Sequence, residues 1–388
     1  YMASYDWRLS FEHLETRDRY FTTLRQRIET LVSMSGAKVV AVAHSMGGNV
    51  WHYFLQWVTH NVHSNWVHDH VYAEVHISAP MLGLPKAFYS MLTGDNRDFA
   101  SMGTGFSAIM NHLFGARMRR KLWRSCSSLA MIIPIGGESV WGEELLGRPL
   151  LYLGNRSLNV SETRDLLASA GDVPEELRRI ERWLLEGSRL AAPRAPRRGT
   201  SDEAIPEHVW GNVLATPLPF APRMKKYVFY GAGVKTDVSA VIKESGDDAE
   251  ELQPRYAIDV KATKDFGFYM GDGDYSVPLV SLGLMCLRGW KSERRNPAHV
   301  PCTLKEYLDN PQTPAISPAQ AAASSAQKAV ATLLTGGYSR GGQPSGDHID
   351  ILGNDELLAD VLTVASGGEV EQRIVSEIRS VTDRRHGD

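Results

Sequence analysis

Only three cysteines, Cys126, Cys286 and Cys302, occur in the 388 residues. That is too few for a disulfide scaffold, and their spacing suits no zinc site. An oxidising compartment leaves room for one disulfide and one free thiol. Cys286–Cys302 is the nearer pair, but spacing alone does not establish a bond. No run approaches the ~18 apolar residues of a membrane span, and no secretory leader is recognisable. Neither sign of charge dominates, with 42 Lys and Arg against 45 Asp and Glu. This argues against a nucleic-acid surface and for a neutral or zwitterionic substrate. Internal repeats are also missing. What remains is core: 43% of the residues are hydrophobic, enough for one large catalytic domain carrying insertions.

Apolar residues recur at helical spacing from Tyr20 to Val32, and Gly36 closes that helix. Val39-Val40-Ala41-Val42-Ala43 follows, a continuous apolar run of the kind found in parallel strands buried on both faces. A tight turn from His44 to Gly48 leads into a second helical pattern through Val50, Phe54, Leu55 and Val58. Val71 to Ile77 is the next expected strand and Lys226 to Tyr230 a later one, stopped by Gly231-Ala232-Gly233. Alternating helix and strand predicts an α/β architecture with a mostly parallel sheet and helices on both faces. Residues 84–150, rich in Met, Phe, Trp and Gly, read as a cap-like insertion over the sheet. Within it Met91, Met102, Met110 and Met118 offer adaptable apolar surface. Residues 189–204 read as a surface loop. Residues 311–346 form a low-complexity insertion, flexible apart from a short helical pattern near Ala319 to Leu334. Asn155-Arg156-Ser157 and Asn159-Val160-Ser161 are glycosylation sequons, relevant if the domain is luminal.

Ala43-His44-Ser45-Met46-Gly47 lies where the expected buried strand meets the following helix, which is the context of a nucleophile elbow in an α/β-hydrolase fold. The strained turn wants small residues two positions either side of Ser45, and Ala43 and Gly47 comply. A serine hydroxyl needs a base to take its proton, and in this fold the chain order is Ser, acid, His. His44 is set aside because its side chain points away from that of Ser45 in such a turn. Downstream, His299 and His348 are the candidates for the base. His348 ranks first, because it sits where a polar loop re-enters the apolar Ile349-Asp350-Ile351-Leu352. Asp272 and Asp274, in a Gly-rich loop after an apolar stretch, both qualify as the acid, with Asp274 ranked first. The Met46 backbone N–H is one expected oxyanion donor. A second donor normally follows an earlier strand, and it is expected, with those strands, upstream of Tyr1.

These motifs converge on a family. Tyr5-Asp6-Trp7-Arg8, Ala43 to Gly48, Ser78-Ala79-Pro80-Met81-Leu82-Gly83 and Gly136-Gly137 with Val140-Trp141-Gly142 carry the likeness. Thr216-Pro217-Leu218-Pro219, Phe229-Tyr230-Gly231, Gly271 to Pro278 continuing to Cys286, and Asp347 to Asn354 complete it. The chain resembles the phospholipid:diacylglycerol acyltransferases of the lecithin:cholesterol acyltransferase-like family. The resemblance implies Ser45, Asp274 and His348 as the triad. It implies that Ser45 takes a fatty acyl group from a phospholipid donor and passes it to a diacylglycerol acceptor at a membrane surface, without metal or organic cofactor. It also implies residence at the endoplasmic reticulum membrane, the catalytic domain luminal and an anchor and lid region in the N-terminal part. Trp141 is a candidate for the acyl or acceptor pocket. Tyr5 to Arg8 read as a loop packed against the sheet. Two rivals stand beside transfer. One is a phospholipase in which water takes the acyl group. The other is a catalytically silent lipid-binding protein of the same fold.

Overall fold

The computed structural model describes residues 1–95, 97, 114–169, 207–245, 255–309 and 345–383. The 189–204 loop, Met102, Met110 and residues 311–344, with the expected short helix, lie outside them. Four strands form a wholly parallel sheet: β1 (Val39–His44), β2 (Val71–Ile77), β5 (Lys225–Ala232) and β9 (Cys302–Leu308), in the order β1-β2-β5-β9. The intervening strands β3 (Leu151–Leu153), β4 (Arg156–Leu158), β6 (Val234–Glu244), β7 (Tyr256–Ile258) and β8 (Phe268–Gly273) build a second, largely antiparallel sheet. Nothing in the sequence reading anticipated that sheet.

Side chains alternate across the parallel sheet as the pleat requires. Val228, Tyr230 and Leu304 face the helices Tyr20–Ser35, Met46–Asn61 and Leu279–Leu287. Ala73, Val75, Ile77, Tyr227, Phe229 and Tyr307 face the opposite way, toward Leu357 and Val364 of the Asp355–Ala365 helix. Helices therefore cover both faces, as expected. β1 departs from expectation. It is the edge strand, only half-buried along its length, with Val42 50% exposed. Its apolar run looked like a strand buried on both sides, but among the described residues only β2 pairs with it.

The described part of 84–150 is helical, including Pro85–Thr93, Ala116–Ser125 and Glu138–Trp141. Main-chain bonds from Leu84 to Ile132 and from Ile135 to Leu82 tie it to the chain leaving β2. Tyr5 to Arg8 brace the same region. Asp6 accepts from Arg8 and Arg17, while Arg8 O accepts from Ser128 N. A disulfide joins Cys286, in the Leu279–Leu287 helix, to Cys302 at the start of β9, and Cys126 is free and buried. No helix among the described residues is long and apolar enough to cross a membrane.

A fully buried charge cluster underlies the sheet face that receives the Met46–Asn61 helix. Glu74 accepts from Lys226 Nζ at 2.6 Å and from Trp51 Nε1 at 2.6 Å, with His76 Nε2 at 3.3 Å. The Lys226 ammonium also lies 4.1 Å from the Trp290 ring centre. Burial pushes the Glu74 carboxyl up, but Lys226 and His76 outweigh it and hold it well below the usual carboxylate range. A depressed folded pKa stabilises at neutral pH, and that contribution is lost as pH falls below the ordinary value of 4.5. Lys226→Met strands a buried carboxylate and is expected to cost about 3–5 kcal/mol, read from the urea midpoint. Adding Glu74→Gln should recover most of the loss and flatten the acid limb of the stability profile. A double variant no more stable than the single one would show that the pair is not the cause.

Candidate active site

Three side chains separated widely in sequence meet at the carboxyl end of the parallel sheet. Ser45 follows β1 directly, in a backbone conformation of φ 54° and ψ −133°. Such a non-glycine geometry costs about 1–3 kcal/mol and survives only where surroundings over-determine it. Here Ser45 N donates to Ile77 O at 2.9 Å and Gly48 N to Ser45 O at 2.9 Å. The helix Met46–Asn61 then starts at once. Its first N–H groups have no intrahelical acceptor and carry the positive end of the dipole. Met46 N–H, next to Ser45, is one of them.

That helix is pinned along its length by the motifs that had no assigned task. Asn49 Nδ2 donates to Pro80 O at 3.0 Å, Gln56 Nε2 to Pro217 O at 2.7 Å, and His52 Nε2 lies 2.8 Å from Thr216 Oγ1. Because Thr216 Oγ1 donates to Asn212 O, His52 must be the donor in that pair. Burial and then Lys226 push the His52 imidazole down to about 3, so it is a neutral strut. At Gly48 an added Cβ would lie 2.5 Å from Ala79 Cβ, so this glycine sets how closely helix and sheet approach. Gly47 is less constrained, since a Cβ there would meet Ala43 Cβ only at 3.8 Å.

His348 Nε2 lies 2.9 Å from Ser45 Oγ, and His348 Nδ1 lies 2.8 Å from Asp274 Oδ2. An ionised carboxylate only accepts, so Nδ1 carries the proton and Nε2 presents its lone pair to the serine hydroxyl. Asp274 is fully buried, and its other oxygen accepts from Ser276 N at 3.0 Å and Val277 N at 2.7 Å. The unanticipated second sheet brings it there. β8 runs antiparallel to β6 and ends one residue before Asp274, while Thr236 of β6 accepts from Tyr275 N and shapes the turn. Asp272 is spoken for elsewhere, accepting from Gly233 N at 2.7 Å. His299 sits just before β9, at the amino end of the sheet, away from the serine. Nor does His348 cap the helix after it, because Asn354 does so, accepting from Glu356 N and Leu357 N.

His348 is delivered by a close crossing of two chains. A Cβ on Gly231 of β5 would lie 1.7 Å from Gly346 O. Gly346 N donates to Asp309 Oδ1 at 3.0 Å, and Asp309 N donates to Ala232 O. His348 N then donates to Asp274 O at 2.7 Å. One further residue, missed in the sequence, reaches the same place: His44 Nε2 lies 2.7 Å from His348 O. Its side chain, set aside as a candidate for the base, reaches the main chain of His348. No sequence signal marks a bond to a backbone atom. Trp141, proposed as a pocket residue, is fully buried, and its Nε1 is bonded to Ile135 O and Leu82 O. Its indole staples the Glu138–Trp141 helix to the segment after β2.

Gly231→Ala tests this crossing. The methyl must displace the Gly346 peptide, so the labelling of Ser45 by a fluorophosphonate is expected to slow by about 10²-fold, the cost of an ångström-scale misplacement. Circular dichroism should show the fold retained. Unchanged labelling would mean that the His348 loop does not depend on this contact.

The lecithin:cholesterol acyltransferase family profile matches residues 1–354. Among curated proteins, a phospholipid:diacylglycerol acyltransferase of Schizosaccharomyces pombe is 30% identical over 98% of this chain and 59% of its own length. One of Saccharomyces cerevisiae is 28% identical over 97% of this chain and 56% of its own. The chain thus spans less than three-fifths of the length of these two relatives. With the profile covering nearly all of its residues, the chain belongs to the lecithin:cholesterol acyltransferase family.

Proposed function

We propose that this chain is the catalytic part of an enzyme that moves a fatty acyl group from a phospholipid to diacylglycerol, giving triacylglycerol and lysophospholipid, with Ser45 as nucleophile, His348 as base and Asp274 as its orienting acid. The observation that carries the proposal is the unbroken chain of contacts from Asp274 Oδ2 through His348 to Ser45 Oγ, in a member of a lipid acyltransferase family whose longer relatives carry that activity in their names.

His348 Nε2 takes the Ser45 proton as Oγ bonds to the ester carbonyl carbon of the phospholipid. The carbonyl electron pair moves to oxygen, facing the Met46 N–H at the helix start. A preorganised donor of this kind is worth about 3–4 kcal/mol. The tetrahedral intermediate then collapses. The bond to the glycerol oxygen breaks, and that oxygen leaves as lysophospholipid with the proton from His348. The diacylglycerol hydroxyl repeats the sequence in reverse, giving its proton to His348 and taking the acyl carbon from Ser45. Whether water can replace it depends on how dry the site is during this second half.

A lipid-facing location is part of the proposal. Ile349, Leu352, Leu358 and Leu362, which follow His348 in the chain, are exposed apolar side chains suited to a membrane surface. Residence at the endoplasmic reticulum with a luminal active site accords with the Cys286–Cys302 bond, which an oxidising compartment maintains.

In microsomes containing the full-length protein, acyl-labelled phosphatidylcholine and diacylglycerol should yield labelled triacylglycerol. Ser45→Ala should remove this on the order of 10⁶-fold, and Asp274→Asn should lower it by roughly 10⁴-fold through the wrong imidazole tautomer. Label appearing only as free fatty acid, whatever the diacylglycerol level, would make the enzyme a phospholipase. Full transfer by Ser45→Ala would end the serine mechanism.

A further inference from the structure

We infer that His44 is a positioning residue for the base: it grips the main chain of His348 while its neighbour Ser45 engages the imidazole, so that two consecutive residues fix both ends of one side chain. The inference rests on the proposed triad and extends it. A carbonyl oxygen only accepts, so the 2.7 Å contact from His44 Nε2 to His348 O requires the proton of His44 to be on Nε2. On the other side, His348 N donates to Asp274 O at 2.7 Å. Both peptide groups flanking the base are thereby held, one by the acid and one by the residue before the nucleophile. The two rings lie 5.1 Å apart, close enough for the charge on one to be felt by the other. Burial, and then His348 itself, push the His44 imidazole below its usual value, against the pull of the His348 carbonyl and of Asp274. His44 is therefore neutral when His348 takes the serine proton. It donates a hydrogen bond without adding a second positive charge beside the imidazolium.

The test compares His44→Leu, His44→Gln and His44→Asn in the full-length protein, with kcat and KM for transfer and the rate of fluorophosphonate labelling as readouts. Leu removes the donor and should lower kcat and labelling by about 10²-fold, leaving KM little changed. The Gln amide nitrogen reaches about as far as Nε2 and should restore most of the rate, whereas the shorter Asn should not. The Gln–Asn contrast decides the matter even if the Leu variant does not fold. Wild-type kcat in the Leu variant, or equal impairment of Gln and Asn, overturns the role of His44 while the triad stands. Failure of wild-type Ser45 to label overturns the triad and this inference together.

A second, independent set of observations assigns a modification site. The two sequons differ in what their asparagine side chain already does. Gly154 and Asn155 form the two-residue tip of the β3–β4 hairpin, with Leu153 paired to Arg156 and Gly154 at φ 57°. Asn155 and Ser157 are both exposed. Asn159 instead begins the Val160–Ser169 helix. Its Oδ1 accepts from Glu162 N at 2.8 Å and its N–H donates to Glu162 Oε2 at 3.0 Å, a reciprocal cap that fixes the orientation of this exposed side chain at the helix start. The disulfide accords with the compartment in which N-glycans are added. In the transfer, Asn155 Nδ2 bonds to the anomeric carbon of a lipid-linked oligosaccharide, whose pyrophosphate leaves with the electron pair and balances the proton that Nδ2 gives up. Full-length protein made through a eukaryotic secretory pathway should lose the mass of one glycan at this hairpin on treatment with peptide N-glycosidase. That shift should vanish in Asn155→Gln and in Ser157→Ala and persist in Asn159→Gln. Peptide mapping that finds Asn155 unmodified, or a glycan on Asn159, overturns the assignment.

Discussion

The crossing of Gly231 under Gly346 is the contact on which the candidate site depends. Carboxylate, imidazole and hydroxyl come from three separate parts of the chain, and only the imidazole is delivered by a segment with no strand of its own. Its reach is set by how closely the two backbones pass, a separation that leaves no room for a Cβ on Gly231. Once the loop lies there, Asp274 holds His348 twice, through its main-chain carbonyl and its carboxylate, and His44 holds the other peptide group. The imidazole then has little freedom left except to turn toward Ser45.

The serine side is stiffened differently. Its helix is bonded at Asn49, Trp51, His52 and Gln56 to Pro80, Glu74 and the adjacent pair Thr216 and Pro217. One of those anchors, Glu74, belongs to a buried ion pair. Dehydrated charges are a poor source of net stability, but a mispaired register would leave them uncompensated. Their placement under the elbow therefore penalises any sliding of the helix along the sheet. Precision in the hydroxyl's position and rigidity of the buried network are two aspects of one arrangement.

The elbow and the parallel sheet were legible in the sequence, because each is marked by strongly local chemistry. A turn with positive φ needs small neighbours, and a buried parallel strand needs an unbroken apolar run. Asp274 and His348 were legible because Gly and polar residues set them off from the surrounding apolar segments. The second sheet was not, since β3, β4 and β7 are three residues each, too short to show a period. β1 was misread for a related reason: an apolar run reports what a strand can bury, not whether a neighbour is there to bury it. His44, set aside in the sequence, is bonded to the main chain of His348, and Trp141, proposed for a pocket, has its indole nitrogen bonded to Leu82 O and Ile135 O. In both cases the deciding partner is a main-chain atom, which no side-chain pattern reveals.

Asp309 and Gly346 are bonded to one another, so the two ends of the 36-residue stretch numbered 310–345 are held at a single point. Closing such a stretch costs an entropy that grows only logarithmically, about 0.6 kcal/mol for each doubling of its length. By that measure, a change in the number of residues between the two ends alters the cost of holding them together only slightly. The placement of His348 depends on the bond at the base of that stretch, between Gly346 N and Asp309 Oδ1.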